Sequence, residues 1–270
     1  MLAGKAFFND HWVDSQDLFI HVSDLSIHRA YAVFDYMKEL DGDVPWIDDY
    51  LDRFINSLHL SGIKISQAKD EIRELIYSMI NQNGFNLSGI KLLASGGYSP
   101  NGFTVSDKAN FFILNYKGKA IDPLVYEKGI VLIHDEFQRP NPEIKTIQYF
   151  NTAQLYQKML KYKADDVLYH YQDIITETSR ANFYVIKNGK ICTSAGNVLS
   201  GITRKQFLKT FSEIYPIDLS VIRFSELTDV DEAFITSTTR GVVPVVKIED
   251  MPIADGKVGS MTKDLMKEFN

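Results

Sequence analysis

The sequence predicts a mixed α+β protein built from two domains. Helical and strand-like segments follow one another without the strict strand–helix–strand order of a purely parallel sheet. A length of 270 residues suits two domains of ordinary size. The polar segment "KGKAIDP" contains Gly118 and Pro123 and is the best candidate for a linker. We therefore predict a smaller domain over residues 1–116, a linker over 117–124 and a larger domain over 125–270.

Two amphipathic helices and two strands are predicted in the first domain. In "YLDRFINSLHL", apolar residues recur at the spacing of one helix face: Leu51, Phe54, Ile55 and Leu58. The segment "KDEIRELIYSMINQNG" repeats this spacing, and Gly84 at its end is a typical helix stop. The strand candidates that follow are "GIKLLASGG" and "NFFILNY".

The second domain is predicted to be richer in strands. Asn188-Gly189 separates two strand-like runs and is a strong signal for a two-residue hairpin turn. The predicted strands are "GIVLIHD", "DVLYHY", the two halves of "NFYVIKNGKICT", and "DEAFITST". The predicted helices are "NTAQLYQKMLKYK", "TRKQFLKTFSEI" and "GSMTKDLMKEF".

The composition is that of an ordinary soluble protein and excludes several classes of function. Apolar residues make up 45% of the chain and charged residues 24%. The net charge of −6 argues against a nucleic-acid-binding protein, which needs a basic surface. The single cysteine, Cys192, excludes an intramolecular disulfide and a cysteine-rich metal site. No apolar run approaches the roughly 20 residues of a membrane span, and no signal-peptide pattern is present, so a cytoplasmic location without membrane contact is expected.

Two charged residues are candidates for a catalytic role because of their sequence contexts. Lys145 lies in the weakly polar segment "NPEIKTIQYF", although a lysine beside a loop is most commonly a surface residue. Glu177 ends a strand-like segment in "TETSRANFYVIKNG", where a solvated charge is the ordinary alternative. Position alone does not decide between these roles.

Two further segments offer hydroxyl and amide groups. In "NVLSGITRKQFL", Gly201 is expected to permit unusual backbone dihedrals, after which the amides of Ile202 and Thr203 open a helix. Amides at a helix N-terminus attract an anion, although simple capping accounts for the same residues. The loop "TSTTRG", residues 236–241, follows a strand directly and is rich in hydroxyl groups, as many ordinary turns are.

Together these segments resemble the class IV (fold type IV) aminotransferases, which use pyridoxal phosphate. The likeness is carried by the order and spacing of "IK", "TETSRANFYVIKNGKICT", "VLSGITRKQFL", "DEAFITSTTRGVVPV" and "DGKVGSMTKDLMKEF". It is looser in the first half, over "SDLSIHRAYAVFDYMKELDG" and "DDYLDRFINSL". D-amino-acid aminotransferases, branched-chain aminotransferases and aminodeoxychorismate lyases are the relatives concerned. The resemblance implies a smaller N-terminal α/β domain and a larger C-terminal domain with a β-barrel-like core.

The resemblance also implies how three side chains meet the cofactor ring. Lys145 forms the Schiff base with pyridoxal 5′-phosphate and moves the proton of the substrate Cα, a task that partial burial favours because burial lowers a lysine pKa. Glu177 faces the pyridine nitrogen and keeps the ring protonated, which makes the ring a better electron sink. Tyr149 either donates a hydrogen bond to the cofactor O3′ or is a packed aromatic residue.

Five residues match the phosphate-binding positions of the family. Arg53 in "DDYLDRF" matches an arginine whose fork reaches two phosphate oxygens. The backbone amides of Ile202 and Thr203, with the Thr203 hydroxyl, match the phosphate-binding helix start. Thr238 and Thr239 match a loop that contacts phosphate or the substrate carboxylate.

The first-half motif departs from the family pattern near the expected substrate pocket. In "DLSIHRAYAVFD", Ser26, Ala30 and Ala32 stand where the family has glycines, and Asp35 stands where it has glutamate. Phe34 occupies the aromatic position without the hydroxyl that some relatives use on the substrate carboxylate. These changes affect the expected substrate pocket more than the expected cofactor site.

An arginine that many relatives use to bind a carboxylate is also missing. Ser95 and Gly96 stand where those relatives have Arg-Gly. Arg29, Arg180 and Arg240 are the arginines that could replace it, and we predict that Arg180 or Arg240 does so. Exposed arginines with no partner are the alternative.

The resemblance predicts an aminotransferase that exchanges an amino group between an amino acid and a 2-oxo acid. The alternative is a lyase on the same cofactor that releases pyruvate and 4-aminobenzoate. These reactions share their first steps and differ in the fate of the carbanion. A cofactor-free relative that serves as a binding protein is a third possibility. The resemblance further implies a homodimer and no metal site.

Overall fold

The chain folds into two units whose division does not simply follow chain order. A computed structural model describes residues 1–270. The first unit comprises Met1–Ala120 together with Ile144–Gln148, and the second comprises Ile121–Glu143 together with Tyr149–Asn270. The short segment that carries Lys145 therefore packs with the first unit, although it lies far beyond the predicted linker. None of the helices combines the length and the apolar character that a membrane-spanning helix requires.

The first unit is an antiparallel sheet with helices on one face. Its strands are β1 (Lys5–Phe8), β2 (His11–Asp14), β3 (Ala32–Leu40), β4 (Leu87–Ser95) and β5 (Asn110–Lys117), in the order β2-β1-β5-β4-β3. Its helices are α1 (Leu25–Arg29), α2 (Ile47–Ser61) and α3 (Lys69–Asn83). Helix α2 packs on β3 and helix α3 packs on β1. The longest register pairs β3 with β4, from Ala32 opposite Ser95 to Leu40 opposite Leu87.

The two helices predicted in this unit are confirmed. Leu51 and Phe54 of α2 are fully buried, and the Phe54 ring lies 6.0 Å from that of Phe111 on the sheet. Helix α3 ends at Asn83, and Gly84 follows in the left-handed conformation, with φ 60°. Its amide donates a hydrogen bond to the Ile80 carbonyl, which is how a glycine commonly ends a helix. The spacing of apolar residues therefore predicted both helices correctly, and Gly84 marked the end of α3.

The second unit contains a closed barrel of six strands. Its strands are β6 (Ile130–Glu136), β7 (Asp166–Tyr171), β8 (Ile174–Thr178), β9 (Asn182–Lys187), β10 (Lys190–Thr193), β11 (Ile217–Leu219), β12 (Ile222–Arg223), β13 (Glu232–Ser237), β14 (Gly241–Ile248) and β15 (Met251–Pro252). The strand order around the barrel is β9-β13-β14-β6-β7-β8. The pair Glu177–Asn182 joins β8 to β9 and closes the ring. Closure leaves no free edge in these six strands.

Apolar side chains fill the barrel and cover its outer surface. Ile130, Leu168 and Val243 belong to a buried, mainly aliphatic cluster contributed by all the barrel strands. The helices of this unit are α4 (Leu124–Lys128), α5 (Phe150–Gln154), α6 (Tyr156–Tyr162), α7 (Ile202–Phe211) and α8 (Ser260–Phe269), with a 3-10 helix at Phe224–Asp229. Phe207 of α7 and Leu265 of α8 are fully buried in a second cluster outside the barrel.

The predicted hairpin at Asn188-Gly189 is confirmed. Strands β9 and β10 pair antiparallel from Lys187 opposite Lys190 onward. Asn188 has φ 52° and Gly189 has φ 71°, and two positive values in sequence are the signature of a type I′ turn. This turn matches the right-handed twist of the strands that it joins.

Candidate active site

The backbone of Lys145 is held against β3. Its carbonyl accepts a hydrogen bond from the Phe34 amide at 2.9 Å, and its own amide donates to the Ser57 hydroxyl at 3.3 Å. On either side, Ile144 is buried and Thr146 forms an isolated bridge with Val33. Because the backbone carbonyl and amide are both hydrogen-bonded, the position of the Lys145 Cα is fixed. The Lys145 Nζ lies 4.8 Å from the centre of the Phe34 ring.

Arg53 and Asp35 form a buried ion pair in the first unit. The Arg53 Nε donates to one carboxylate oxygen of Asp35 at 2.9 Å and Nη2 donates to the other at 2.6 Å. The side chains are only 8% and 0% exposed. This forked contact is the strongest geometry that an arginine and a carboxylate can adopt. The aspartate that departs from the family motif therefore positions the arginine predicted to bind phosphate.

Ser95, which replaces the expected arginine, has a structural partner. Its hydroxyl donates to the buried Asp24 carboxylate at 2.7 Å. The Asn110 side chain donates to the same oxygen at 2.7 Å, and the Ser26 amide donates to the other oxygen and caps helix α1. Ser95 therefore has a structural role in this protein, because it satisfies the buried Asp24 carboxylate.

Glu177 lies at the closure of the barrel and is held from two sides. Its Oε1 accepts a hydrogen bond from the Arg139 Nε at 2.8 Å, and its Oε2 accepts one from the Leu199 amide at 2.9 Å. A second nitrogen of Arg139 donates to the Pro142 carbonyl at 2.6 Å. The Glu177 side chain is 6% exposed and that of Arg139 15%. Glu177 is thus a buried, paired carboxylate in a fixed orientation and not a solvated charge.

Asn182 and Gly201 shape the loop that leads into helix α7. The Asn182 side-chain amide donates to the Leu199 carbonyl at 3.0 Å. Gly201 has φ −65° and ψ 132°, which any residue adopts, so the expectation of unusual dihedrals at this glycine was wrong. Glycine is needed here for another reason, since an added Cβ would overlap the Asn182 Oδ1. Close packing on Asn182 sets the path of the loop.

The start of helix α7 combines a glycine at the N-cap position with a buried hydroxyl group that has no partner. Helix α7 begins at Ile202 and has no side-chain cap. The Thr203 hydroxyl is buried and has no hydrogen-bond partner in the structure. A buried hydroxyl without a partner costs about 1–3 kcal/mol. Such a group at a helix N-terminus suits an oxygen-rich anion.

The loop between β13 and β14 carries the other predicted hydroxyl groups. Thr238 and Thr239 form the turn between these strands. The neighbouring Ser237 Oγ is a second buried hydroxyl without a partner. Thr236 is buried in the strand, where its hydroxyl lies 3.1 Å from that of Tyr184. Ser237 was not among the predicted residues, although the hydroxyl-rich "TSTTRG" contained the signal.

The arginines considered for carboxylate binding all have partners in the structure. The Arg180 Nη2 donates to the Asp165 carbonyl at 2.9 Å, and its Nε lies 3.7 Å from the Asp166 carboxylate. The Arg240 Nη1 lies 3.9 Å from the Asp165 carboxylate. Arg29 donates to the His28 carbonyl at 2.9 Å on the surface of the first unit. Protein groups therefore contact all three guanidinium groups.

Tyr149 immediately precedes helix α5, and its phenol is strongly shifted. Burial raises the pKa of Tyr149 to about 12, with smaller effects from Asp166 and Glu177 in the same direction and from Arg139 against it. The phenol therefore keeps its proton at neutral pH and can donate a hydrogen bond.

A comparison with known protein families identifies the family of this chain. Residues 32–248 match the family described as amino-transferase class IV. The chain belongs to the class IV aminotransferases. It is thus an enzyme of the transferase class, and the family resemblance predicted from the sequence is confirmed.

Curated relatives align over nearly the whole chain. A D-alanine aminotransferase of Staphylococcus epidermidis is 27% identical over 272 residues, which cover 98% of this chain and 96% of that protein. A D-alanine aminotransferase of Listeria monocytogenes is 23% identical over 273 residues, with 98% and 94% covered.

Solved structures show the same fold. A branched-chain amino acid aminotransferase of T.th., solved with pyridoxamine 5′-phosphate, superimposes with a TM-score of 0.90 at 23% identity and covers 98% of this chain and 92% of its own. The branched-chain aminotransferase of Thermoproteus uzoniensis gives 0.88 at 18% identity, with 98% and 92% covered. The predicted mixed fold with a barrel-like second domain is confirmed.

Proposed function

We propose that this enzyme uses pyridoxal 5′-phosphate to exchange an amino group between an amino acid and a 2-oxo acid, with Lys145 as the residue that carries the cofactor. The observation that carries the proposal is the start of helix α7. An uncapped helix N-terminus and the buried, unpartnered Thr203 hydroxyl form donors for a phosphate group. The unpartnered Ser237 hydroxyl of the same unit fits this chemistry as well.

The residues predicted from the sequence have the chemistry that this cofactor needs. Bound pyridoxal phosphate supplies an aldehyde that bonds to amines and a ring that takes up the electron pair left when the substrate Cα loses its proton. The Lys145 amine takes up and returns that proton. Glu177, fixed by Arg139, provides a negative charge for the ring nitrogen. The protonated Tyr149 provides a hydrogen-bond donor for the ring oxygen.

The phosphate contacts are proposed on the same basis. Arg53 donates two hydrogen bonds to Asp35, which fix the orientation of the guanidinium group proposed to bind the phosphate. The amides of Ile202 and Thr203 and the Thr203 hydroxyl provide neutral donors. Thr238 and Thr239 remain candidates for phosphate or substrate carboxylate. Arg180 and Arg240 stay predicted substrate residues, although both already contact aspartates.

Aminotransfer has more support than the lyase reaction. The curated relatives are named D-alanine aminotransferases and the matching structures are branched-chain aminotransferases. D-alanine, L-valine and L-leucine with a 2-oxo acid are therefore the first substrates to assay.

A homodimer is proposed from the exposed apolar side chains of the first unit. Two segments contact each other there: the His21 and Tyr98 ring centres lie 6.2 Å apart, and the Arg29 guanidinium lies 5.8 Å from the centre of the Phe103 ring. The large apolar side chains that these segments expose are Phe19, Val22, Ile27, Phe103 and Val105. Exposed apolar residues in such number commonly mark a protein contact. Light scattering at several protein concentrations gives the mass, and a strictly monomeric protein would contradict this part of the proposal.

The test is a visible absorbance spectrum of wild-type protein and of Lys145→Ala after incubation with pyridoxal phosphate. Wild type should turn yellow and Lys145→Ala should not, whereas Lys119→Ala, an exposed lysine, should match wild type. Loss of the band on adding an amino donor, and its return with a 2-oxo acid, would establish aminotransfer. Release of pyruvate from aminodeoxychorismate with no 2-oxo acid required would favour the lyase. A colourless wild type would refute the role of Lys145.

A further inference from the structure

Lys91 on β4 is a half-buried lysine whose ammonium has no acidic partner. It takes part in none of the ion pairs or side-chain hydrogen bonds of the structure. Its contact is with an aromatic ring, since Nζ lies 4.7 Å from the centre of the Phe34 ring. Burial lowers the pKa of Lys91, and no neighbouring charge opposes that shift. A cation in such a setting is poorly solvated, and an anion would stabilise it.

The sheet register explains why no protein carboxylate reaches Lys91. Tyr36 lies opposite Lys91 and Phe34 lies opposite Leu93, so the aromatic side chains and Lys91 share one face of the sheet. Asp35 lies between them in sequence and therefore points to the other face. Its carboxylate is fully engaged by Arg53 there. The side of the sheet that carries Lys91 is left with a positive charge.

Lys91 lies close to the reactive lysine of the proposed function. The Lys145 Nζ lies 4.8 Å from the centre of the same Phe34 ring. The two ammonium nitrogens are therefore no farther apart than the sum of their distances to that centre. A substrate whose Cα reacts at Lys145 carries one carboxylate directly on Cα, and a dicarboxylic substrate carries a second one a few bonds away. At a separation within that limit, one of these carboxylates can lie between the two ammonium groups.

We infer that Lys91 binds a carboxylate of the substrate and replaces the arginine that is missing at Ser95. This inference rests on the proposed function, since it needs a substrate positioned at Lys145. The ammonium offers three N–H donors and the full charge that a carboxylate requires. The Phe34 ring covers one side of the ammonium and displaces water, which strengthens an ion pair formed there.

Lys91 suits this task better than the arginines considered from the sequence. Arg180 and Arg240 both lie near Asp165, which already balances positive charge in the second unit. Lys91 has no such partner. The competing explanation is that Lys91 acts on Lys145 only through charge repulsion, without contacting the substrate.

Two variants of Lys91 and one control separate these explanations. Lys91→Met removes the charge at similar length, and Lys91→Arg keeps it. Lys38→Met is the matched control. Lys38, on β3, is partly buried and lies on the same face of the sheet as Lys91, but its ammonium does not lie over the Phe34 ring. Each protein is assayed in both directions of the exchange between alanine and 2-oxoglutarate. This gives KM for alanine and pyruvate, which have one carboxylate, and for glutamate and 2-oxoglutarate, which have two. Calorimetric titration with propionate and succinate measures carboxylate binding without turnover.

In Lys91→Met, KM for the affected substrates should rise about 10- to 100-fold, the usual effect of losing a charged hydrogen bond. The Kd of the matching carboxylate should rise with it, while kcat changes less. Lys91→Arg should have KM and Kd values close to those of wild type, and Lys38→Met should resemble wild type. An effect on all substrates assigns Lys91 to the carboxylate on Cα, and an effect on glutamate and 2-oxoglutarate alone assigns it to the distal carboxylate.

Three other results would overturn the inference. Unchanged KM and Kd in Lys91→Met, with a normal yellow band, would remove Lys91 from the substrate site and leave the proposed function intact. A shifted pH dependence of that band with unchanged KM and Kd would mean that Lys91 acts on Lys145 alone. A wild type without the band would refute the proposed function and the role of Lys91 together.

Discussion

Asp35 replaces the glutamate of the family motif and forms the most buried ion pair of the first unit. Its carboxylate is fully buried, and Arg53 grips both oxygens. The Tyr36 amide donates a further hydrogen bond to Oδ1 at 2.8 Å. The shorter side chain of aspartate therefore still holds the Arg53 guanidinium in a fixed orientation.

Asp35→Asn should destabilise the protein by about 3–5 kcal/mol, because it leaves the buried Arg53 charge without its partner. Urea unfolding measures this change in the free energy of unfolding. The affinity for pyridoxal phosphate should fall as well, because Arg53 loses its orientation.

Asp52→Asn is the matched control for this prediction. Asp52 pairs with Lys69 on the surface, where its side chain is 66% exposed. An exposed ion pair contributes only about 0–1 kcal/mol. Equal losses in both variants would show that burial of the Asp35–Arg53 pair has no special importance.

Gly201 is required by its contact with Asn182. Gly201→Ala should cost about 1–3 kcal/mol, because the new methyl group would overlap the Asn182 Oδ1. Cofactor affinity should also fall, since this loop leads into the start of helix α7. Urea unfolding and a cofactor titration provide the two measurements.

Two further variants isolate the cause of that loss. Gly196→Ala lies in the same connection, meets no atom within 4 Å and should change stability little. Adding Asn182→Ala to Gly201→Ala removes the overlap, so the double variant should lose less than the sum of the two single changes. Simple additivity would contradict the proposed overlap.

At the scale of elements, strands β6 and β7 are joined by a pair of histidines. The His134 Nδ1 lies 3.1 Å from the His170 Nε2. Both rings pack on Phe224, with centres 4.5 Å and 4.4 Å from its own. Such a hydrogen bond needs at least one neutral ring, since a doubly protonated imidazole can only donate.

Acid should weaken this contact. Burial lowers the pKa of both histidines. At His134, the charge of Glu249 opposes this shift and the charge of Lys158 adds to it. At His170, the charge of His134 adds to the shift, and the carboxylates of Glu136, Asp135 and Asp173 oppose it. The folded pKa values lie below the unfolded ones, so this stability is present above about pH 6.5 and is lost as the pH falls towards the folded values.

His170→Gln should therefore lose less stability than wild type between pH 7.5 and pH 5. Urea unfolding at both pH values measures the difference. His59→Gln, at an exposed position of α2, should lose as much as wild type. If His170→Gln loses as much stability as wild type between pH 7.5 and pH 5, the histidine pair is excluded as the cause of the loss in acid.

The sequence predicted those elements that are encoded locally. The end of α3 at Gly84 and the hairpin turn at Asn188-Gly189 were predicted because glycine and asparagine adopt the left-handed conformation more readily than other residues. Glu177 and Lys145 were predicted because each lies in a contiguous motif. Closure of the barrel between β8 and β9 could not be read from one sequence, since the barrel orders its strands differently from the chain.

At the scale of the whole molecule, the residues that were missed depend on distant partners. Arg139 is separated from Glu177 by 38 positions, and only the folded second unit brings them into contact. Lys91 and Lys145 meet the same ring because the segment 144–148 returns to the first unit. Chain folding of this kind leaves no local pattern, so residue type alone gave no reason to select Arg139 or Lys91.

Burial of tyrosines throughout both units predicts a loss of stability in alkali. Eight of the 14 tyrosines have raised pKa values, chiefly through burial: Tyr36, Tyr77, Tyr116, Tyr126, Tyr149, Tyr169, Tyr184 and Tyr215. Above about pH 10 the unfolded chain releases phenolic protons that the folded chain still holds, so the free energy of unfolding must fall as the pH rises.

An ultraviolet titration of phenolate should therefore show a late group of tyrosines in the native protein, which joins the early group in urea. Tyr149, with its pKa raised to about 12, belongs to the late group. Tyr149→Phe should remove one late tyrosine and lose less stability between pH 9 and pH 11 than wild type. Tyr171→Phe, at an exposed position outside the proposed dimer surface, should follow wild type. Native and unfolded titration curves that superimpose would contradict the prediction, because no phenol would then be protected by the fold.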